Sequence, residues 1–475
     1  MDGAHDGCSR LHQLGMPARL GCGWQKLVHA HPLRVWPALD LGNHLERYFA
    51  RSAILHPEPN SQQRIACSPS SPAVRGCGRL AMVRIMRVLA CVAGAAALAT
   101  GPARHAARPR TSVKAAAAAT EQEPLLLRAA RGEKVERTPV WMMRQAGRHM
   151  KVYRDLVAKY PTFRERSEIP EAALEISLQP FRAYGVDGVI LFSDILTPLP
   201  AMGVEFQISE GGAISIPPIR TEADLAKFKG KGEFDATTAC PFVGEVLGKL
   251  REEVGNKATV LGFVGLPFTL ASYLVEGKTG TTSGFAEVKK MREENPELLH
   301  GILSKLADNI GDYACYQVDQ GAQVIQVFDS WAGHLPKDQY ETFAMPYQKR
   351  VVEALKAKHP TTPVIIYMAP DIHSKDGQFL DLLATTGVNC VSLDYTVDFA
   401  DVRAKMPDHL ALQGNLDPKL LRDGPLDKIK EETEKILQAG GHNGHVMNLG
   451  HGIEADTPEP HAKFFVDTVQ GFRAK

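Results

Sequence analysis

Two arginines, four positions apart, follow an apolar run in the segment PVWMMRQAGR, residues 139–148. Residues 140–143 have the length and composition of a short core strand, which would deliver the guanidinium groups of Arg144 and Arg148 to one place. Gly147 between them would allow a close turn of the backbone. Because guanidinium groups bind carboxylates through two parallel hydrogen bonds, this spacing favours a site for an anionic substrate. The alternative is a helix start with both arginines on its solvated face.

Polar residues also follow later apolar runs. They are Ser193 and Asp194, Asp329 and Ser330, Asp394, Gly414 and Asn415, and Gly450, His451 and Gly452, while residues 265–267 open a predicted helix that carries Tyr273. Any one of them could be a helix cap or a satisfied structural group. Together they suit an anionic substrate that is handled by proton transfer and electrostatics. A phosphate site at residues 449–452 is the alternative, ranked lower because arginines dominate the set.

Eight apolar runs alternate with amphipathic stretches and predict buried parallel strands. They are residues 140–143, 188–192, 259–264, 323–328, 364–368, 389–393, 410–413 and 445–449. Helices are predicted at residues 170–184 and 378–386, and an insertion at residues 197–257. This alternation predicts an α/β fold, a single (β/α)8 TIM barrel, with the polar residues at the carboxyl ends of its strands. A doubly wound sheet would require a G-x-G-x-x-G turn after the first run, and the sequence has none there.

Charge divides the chain at about residue 119. Residues 1–119 hold 15 Lys and Arg against 5 Asp and Glu, and the remainder holds 40 against 49. Five of the eight cysteines lie in the basic part, which leaves Cys240, Cys315 and Cys390 in the acidic body without a C-x-x-C pair. The body is therefore expected to be located in a reducing compartment and to have neither a disulfide framework nor a thiolate metal site. No nucleic acid is expected among its partners.

Residues 82–119 are predicted to be a bipartite targeting leader. The basic segment of residues 82–87 precedes an apolar run, residues 88–99, that ends in a small-x-small cleavage pattern, as in a secretory signal peptide. The run is too short to span a bilayer, so no stable membrane insertion is expected. Residues 101–119 contain Arg, Ser, Thr and Ala but no acid, which is typical of a transit peptide.

This leader predicts import into a plastid bounded by extra membranes, with the protein in the chloroplast stroma. A single undivided transit sequence is the alternative. Residues 1–81 fit neither part, because a signal peptide has to be N-terminal, and are interpreted as an extension of the gene model or a disordered segment. The folded domain is expected at residues 120–475.

Residues 124–470 resemble the uroporphyrinogen decarboxylase family, of the plastid and bacterial type. The motifs that carry the resemblance are PVWMMRQAGR (139–148), FRERS (163–167), GVILFSDILTPL (188–199), LGFVGLPFTLASYLVEG (261–277), QVFDSWAG (326–333), QGNLDP (413–418) and NLGHGI (448–453). They stand in the family's order and spacing. Two departures are a longer and more polar segment at residues 367–381 and His149 in place of a tyrosine.

The resemblance implies a (β/α)8 barrel, a homodimer and a carboxy-lyase of heme and chlorophyll biosynthesis. The implied reaction removes carbon dioxide from the four acetate side chains of uroporphyrinogen III to give coproporphyrinogen III, with no metal or organic cofactor. Arg144, Arg148, Asp194 and Tyr273 match the family's catalytic residues. The substrate-binding positions are Arg144, Gln145, Ala146, Gly147 and Arg148 at the substrate carboxylates, Phe163 as an apolar wall, Asp194 under the macrocycle centre, Tyr273 beside it, and Ser330 and His451 at substrate side chains.

Two other functions fit the same fold. A zinc-dependent cobalamin or thiol methyltransferase of the same superfamily would carry a His-x-Cys pair after a middle strand and a late cysteine ligand. This chain has Ile366 to Met368 as I-Y-M and residues 449–451 as L-G-H in those places. A non-catalytic tetrapyrrole-binding scaffold would carry a degenerate site, and the intact residues Arg144, Arg148, Asp194 and Tyr273 argue against it.

Overall fold

The computed structural model describes residues 122–209, 212–368 and 380–473. They belong to one unit, Pro109–Lys475. The segments predicted at residues 1–81 and 82–119 lie outside the described residues, and so does most of the unusual segment after residue 367. No helix within the described ranges is both long and apolar enough to cross a membrane.

A parallel sheet forms the centre of the fold. In chain order the strands are β1 (Gly188–Ile190), β2 (Gln207–Ile208), β3 (Ile214–Ser215), β4 (Thr259–Gly265), β5 (Val324–Phe328), β6 (Val364–Tyr367), β7 (Cys390–Ser392), β8 (Ala411–Gln413) and β9 (His445–Val446). In the described part of the chain, seven of them pair in the order β1-β4-β5-β6-β7-β8-β9, each parallel to its neighbour. The runs predicted after the first are thus confirmed as strands.

Helices alternate with these strands. They are α1 (Leu125–Ala130), α2 (Lys151–Val157), α3 (Phe163–Glu168), α4 (Pro170–Tyr184), α5 (Glu222–Lys227), α6 (Ala236–Ala239), α7 (Pro241–Val254), α8 (Pro267–Glu276), α9 (Ala286–Glu294), α10 (Pro296–Asp319), α11 (Lys337–Phe343), α12 (Met345–Lys358), α13 (Leu380–Ala384), α14 (Phe399–Lys405), α15 (Pro418–Asp423), α16 (Leu426–Gly440) and α17 (Glu459–Gly471). The helix predicted at residues 170–184 has the bounds of α4. The predicted insertion contains the β2–β3 hairpin and the helices α5, α6 and α7.

The helix predicted at residues 378–386 is shorter than expected at its C-terminal end. Its described part, α13, ends at Ala384. The hydroxyls of Thr385 and Thr386 donate to the carbonyls of Leu382 and Leu383, at 2.7 and 2.6 Å. These hydroxyls satisfy the last carbonyl groups of the helix, so the chain turns away two residues early.

The predicted strand at residues 140–143 is wrong as a full strand. Val140 makes a single parallel bridge with Met447, which follows β9. On the opposite side, the backbone N–H of Asp187 donates to the Val140 carbonyl at 2.8 Å. The chain then turns at once, since the Gln145 N–H donates to the Met142 carbonyl at 2.9 Å. Pairing therefore ends after one residue, although the segment lies between β9 and the start of β1.

A partly buried ion pair holds this segment in place. The Arg137 guanidinium donates to both carboxylate oxygens of Asp187, at 2.7 and 2.6 Å. The same carboxylate accepts the Val140 N–H at 2.9 Å. Asp187 is buried and all of these donors converge on it, so removal of Arg137 would leave an uncompensated buried charge.

Polar side chains in the interior show that the sheet is strongly curled. Gln413 of β8 donates to Gln326 of β5 at 3.1 Å and to Ser392 of β7 at 2.9 Å. It also accepts the Trp141 indole N–H at 2.9 Å. In a flat sheet β5 and β8, three strands apart, would lie about 14 Å from each other. Two glutamines can bridge them only because the sheet bends round to enclose these side chains.

His149, one of the departures from the family pattern, lies in the interior. Its Nε2 is 3.1 Å from the Tyr184 hydroxyl of α4. Within the described residues its Nδ1 is buried without a hydrogen-bond partner. Burial lowers the pKa of His149 from 6.5 to about 4, with a smaller opposite influence from Glu459. The imidazole is therefore neutral in the folded protein at neutral pH and does not belong to the rim of the sheet.

We expect His149 to make the fold less stable in acid. The unfolded imidazole binds a proton below pH 6.5, whereas the folded one does so only near pH 4, so stability is lost as the pH falls between these values. This loss amounts to about 2 kcal/mol between pH 7 and pH 5. Denaturant unfolding of His149→Gln at both pH values should show a correspondingly smaller difference.

His409→Gln is the control for this measurement. The His409 side chain is exposed, so its imidazole meets water in both the folded and the unfolded state. This variant should keep the pH dependence of the parent chain. An unchanged difference in His149→Gln would contradict the role given to His149.

Candidate active site

A tight turn after residue 141 sets the position of Arg144. The fully buried Gln145 accepts the Met142 N–H at 3.1 Å and donates its Nε2 to the Gly188 carbonyl at 2.9 Å. The turn is thereby tied to the first residue of β1. Arg144 has a backbone φ of 60°, in the left-handed region that non-glycine residues rarely adopt. Gly147 was expected to provide the turn, but the left-handed residue is Arg144 itself.

The loop after β9 packs on the Arg144 side chain. Asn448 Oδ1 accepts the Met143 N–H at 2.8 Å, and the Ile453 N–H donates to the Met143 carbonyl at 2.9 Å. Between these two contacts, a Cβ on Gly452 would lie 2.4 Å from Cδ of Arg144. Only glycine leaves room there for the aliphatic part of Arg144. The guanidinium end remains exposed to solvent.

The charge of Arg144 acts on groups from four different strand ends. It lowers the pKa of the Asp194 carboxyl and of the Tyr273 and Tyr367 phenols, where it opposes the larger effect of burial. It also lowers the pKa of the His451 imidazole, where it adds to the effect of burial. Asp194 follows β1, Tyr273 lies on the helix after β4, Tyr367 ends β6 and His451 follows β9. Arg144 is therefore near the centre of the candidate site.

Asp194 is a partly exposed carboxylate in a deep position. Its Oδ1 accepts the Leu196 N–H at 2.8 Å, and its own N–H donates to the Thr197 hydroxyl at 3.2 Å. Removal from water raises the pKa of Asp194, while the Leu196 N–H and the charge of Arg144 lower it. The accessible part of the carboxylate is thus available to a ligand, and Arg144 favours its ionised form.

Tyr273 lies on α8, and its phenol is close to Asp194. Burial raises the pKa of its phenol, and the negative charge of Asp194 raises it further. The phenol therefore stays protonated at neutral pH and can donate a hydrogen bond. Its ring is 4.1 Å, centroid to centroid, from the ring of Trp331, which follows Ser330 at the end of β5.

His451 follows β9, and Tyr367 ends β6. Burial lowers the pKa of His451, and Arg144 lowers it further, so the imidazole is neutral at neutral pH. The Tyr367 ring is 6.4 Å from the His451 ring, edge to face. Burial raises the pKa of the Tyr367 phenol, and Asp394, which follows β7, raises it further. Burial raises the pKa of Asp394 itself to about 6.

The remaining predicted site residues have different surroundings in the structure. Phe163 has its ring 5.4 Å from Phe192, two residues before Asp194. Ser330 is partly buried between Asp329 and Trp331. The Gln145 side chain is wholly engaged in the turn, Ala146 packs against the core, and Gly147 is buried.

Arg148 stands apart from the other predicted residues. Its side chain is exposed, and its carbonyl accepts a hydrogen bond from Arg154 at 2.7 Å. Its charge is not among the influences on the pKa of Asp194, Tyr273 or His451. In the described residues no group of three or more His, Cys, Asp and Glu side chains is placed to hold a metal ion.

Comparison with known proteins identifies the family. The uroporphyrinogen decarboxylase (URO-D) family model matches residues 121–472. The chain belongs to the uroporphyrinogen decarboxylase family. A uroporphyrinogen decarboxylase from Prochlorococcus marinus strain MIT 9313 is 53% identical over 350 residues, which cover 74% of this chain and 96% of that protein. One from Picosynechococcus sp. is 52% identical over 352 residues, covering 74% and 97%. The predicted family and the predicted decarboxylase enzyme are confirmed.

A solved structure with lower sequence identity shares the fold. A methyltransferase from Methanosarcina mazei superposes with a TM-score of 0.59 at 22% identity, covering 74% of this chain and 99% of that one. At this identity the likeness concerns the fold alone. It agrees with an α/β architecture built on a curled parallel sheet.

The prediction from sequence missed three residues near the rim of this uroporphyrinogen decarboxylase family member. Tyr367 ends β6 and lies near Arg144, and its place at the end of an apolar run was the available signal. Trp331 contacts Tyr273, yet an apolar residue after a strand gives no such signal. Asn448 holds Met143, and a polar residue within an apolar run was the signal in that case.

We expect Arg144→Gln to raise the pKa of His451, because the variant removes a cation that opposes imidazolium formation. NMR titration of the imidazole signals of both proteins would measure the shift. Arg148→Gln is the matched control, since it removes a neighbouring arginine that is not among the influences on the pKa of His451. Equal shifts in both variants, or none in Arg144→Gln, would contradict the central position of Arg144.

Proposed function

We propose that this chain removes carbon dioxide from the four acetate side chains of uroporphyrinogen III and gives coproporphyrinogen III. The observation that carries the proposal is the grouping of the accessible Asp194 carboxylate and two neutral donors, Tyr273 and His451, around the exposed Arg144. The match to the family over residues 121–472 supports the same substrate. The catalytic and binding residues are proposed on this basis, with Arg144, Asp194 and Tyr273 at the centre.

Each step exchanges a carboxylate for a proton, so that R–CH2–COO⁻ and H⁺ give R–CH3 and CO2. Direct loss of carbon dioxide would leave a free carbanion. Protonation of the pyrrole at its α-carbon instead creates a cation that accepts the electron pair of the breaking bond. A proton then adds to the methylene carbon left by carbon dioxide, and the α-carbon gives up its proton, so the net change consumes one proton. A negative charge beneath the ring stabilises this cation, and pyrrole N–H groups can donate to it. Asp194 is the group proposed for this role.

The ionisation of Asp194 depends on two opposing influences. Burial favours the neutral acid, whereas the Leu196 N–H and Arg144 favour the carboxylate. A bound substrate whose pyrrole N–H groups point at the oxygens would favour the carboxylate further. The site is thus built so that the carboxylate is stabilised where the cationic intermediate forms.

The arginines hold the carboxylates of the substrate. The guanidinium group of Arg144 is exposed, and so is that of Arg148, and a planar guanidinium can bind a carboxylate through two hydrogen bonds. The substrate carries eight carboxylates, while residues 120–475 carry 49 acidic against 40 basic side chains. Local attraction by these arginines must therefore exceed the repulsion by the net charge of the body. Phe163, Ser330 and His451 would contact the ring and its side chains.

Three further features belong to the proposal. The segment of residues 139–141 would be the first strand of a closed (β/α)8 barrel, supported by its hydrogen bonds to Met447 on one side and Asp187 on the other. A plastid location is supported by the leader's composition and by relatives from cyanobacteria. A homodimer is supported by the family resemblance. Neither a zinc methyltransferase nor a non-catalytic scaffold is favoured by a specific observation.

Asp194→Asn tests the role of the negative charge. We expect turnover of uroporphyrinogen to fall by about 10² or more, as for loss of one preorganised electrostatic group. The melting temperature should stay nearly the same, because asparagine accepts the Leu196 N–H about as well as aspartate. Anaerobic assays that count the carboxylates on the oxidised product would measure the loss.

Asp235→Asn is a matched control for this substitution. Asp235 accepts the N–H of Thr237 at 3.0 Å, in the same two-residue turn that Asp194 makes with Leu196, but it lies on an exposed helix cap. Its turnover should equal that of the parent chain. A folded Asp194→Asn protein with normal turnover would show that the charge is not needed.

We also expect turnover to survive exhaustive chelation without any added cofactor, because the proposed chemistry uses only protein side chains and a proton. Parallel assays before and after dialysis against a strong chelator would check this. Loss of activity that zinc restores would favour the methyltransferase-like alternative instead.

A further inference from the structure

Aromatic rings connect Tyr273 with a loop outside the site. The Tyr273 ring contacts Trp331 at a centroid distance of 4.1 Å and an interplanar angle of 36°. Phe285 meets Trp331 edge-on at 5.2 Å and lies 4.8 Å from the His334 ring. Rings packed at these distances restrict each other's rotation. The four side chains therefore form one packed unit, here called the aromatic row, and Tyr273 is its member at the site.

Trp331 is fixed to the helix that carries Tyr273. Its backbone N–H donates to the Thr269 hydroxyl at 3.1 Å. The Thr269 hydroxyl and N–H in turn donate to Oδ1 of the buried Asp329, at 2.7 and 2.9 Å. Thr269 and Tyr273 lie one turn apart on α8. The backbone and the ring of Trp331 thus both contact the same helix, which leaves the indole little freedom to move relative to the Tyr273 ring.

Phe285 is held in an unusual conformation at the other end of the row. Its φ is 58°, a left-handed value that costs free energy for a bulky residue and persists only where the surroundings impose it. A Cβ on Gly280 would lie 2.4 Å from a ring carbon of Phe285. Glycine at position 280 therefore gives the ring its space against Trp331. The segment therefore holds the Phe285 ring against Trp331 in the aromatic row.

We propose that Trp331 and Phe285 are positioning residues that fix the Tyr273 hydroxyl against Asp194 and thereby set the rate of decarboxylation. The inference rests on the proposed function. Trp331 acts through its contact with Tyr273, and Phe285 acts through Trp331, so neither has to touch the substrate. Tyr273 is close enough to Asp194 and Arg144 for both charges to act on its phenol. A small rotation of the ring would move the hydroxyl away from the bound pyrroles.

A positioning role differs from ordinary core packing in what it predicts. If Trp331 only filled space, its truncation would lower stability, and any effect on rate would be the same whether or not residue 273 has a hydroxyl. If Trp331 orients that hydroxyl, its effect on rate must largely disappear once the hydroxyl is removed. A double-mutant cycle separates these cases.

The cycle compares the parent chain, Trp331→Leu, Tyr273→Phe and the double variant in the uroporphyrinogen assay. We expect Trp331→Leu to lower kcat about tenfold with a smaller change in KM, since misplacement of a reacting group by about 1 Å can cost up to 10². Trp331→Phe should restore most of the rate because it keeps an aromatic face. In the Tyr273→Phe background, Trp331→Leu should change kcat less than about twofold.

Equal factors in both backgrounds would overturn the proposal, and so would a Tyr273→Phe variant with the kcat of the parent chain. Melting curves identify variants that fail to fold, and Trp331→Met, which also lacks an aromatic face, then carries the cycle in place of Trp331→Leu. Absence of turnover by the parent chain would refute the proposed function itself, before any variant is compared.

Gly280→Ala tests the role of Phe285 in the aromatic row, because Gly280 packs against the Phe285 ring and is not among the proposed substrate-binding residues. Its new methyl group would displace the Phe285 ring, so kcat should fall several-fold. Gly248→Ala is the matched control, because a Cβ there would meet only the Gln320 carbonyl oxygen, at 4.0 Å. Equal kcat values for these two variants would overturn the part assigned to Phe285.

Discussion

The buried side-chain amide of Gln145 fixes the backbone on which the site is built. Its oxygen accepts the Met142 N–H and its nitrogen donates to the Gly188 carbonyl, so both ends of a neutral group are satisfied without exposure to water. This ties a turn to the first strand of the sheet. Arg144 immediately precedes Gln145 and is forced into a left-handed conformation, which directs its side chain under Gly452. The position of the main charge in the site follows from this one interaction.

Burial and charge oppose each other throughout the site. Removal from water favours the neutral forms of Asp194, Tyr273 and His451, while Arg144 favours an ionised Asp194 and a neutral His451. The result is one carboxylate that can be negative among donors that stay neutral. Such an arrangement matches a reaction in which a cation forms in the substrate for a short time and then disappears. A polar but solvent-filled site would provide weaker stabilisation, because water screens the same charges.

Four aspartates near strand ends show how surroundings decide the role of one residue type. Asp187 is paired with Arg137 and holds the chain before β1. Asp329 accepts hydrogen bonds from Thr269 and Gln348, and burial raises its pKa to about 6. Asp394 is buried beside Tyr367, whereas Asp194 remains accessible. Only the last combines an open carboxylate with a nearby arginine.

The sequence by itself predicted seven parallel strands in their observed order and the helix at residues 170–184. Parallel strands buried on both faces leave continuous apolar runs, and polar residues directly after such runs stand out, as Asp194 and His451 did. The family motifs indicated the same positions.

The tertiary structure decided what local patterns do not encode. Residues 140–143 looked like a strand, but a turn tied by Gln145 to Gly188, 43 positions away, stops the pairing after Val140. Arg144 and Arg148 were equivalent in sequence, yet only Arg144 lies beneath the loop after β9 and near Asp194. Trp331 joins Tyr273 through a contact between residues that are 58 positions apart in the chain. The reason is the same in each case: a local pattern determines which side chains are buried, whereas the contacts that give each a role come from distant parts of the chain.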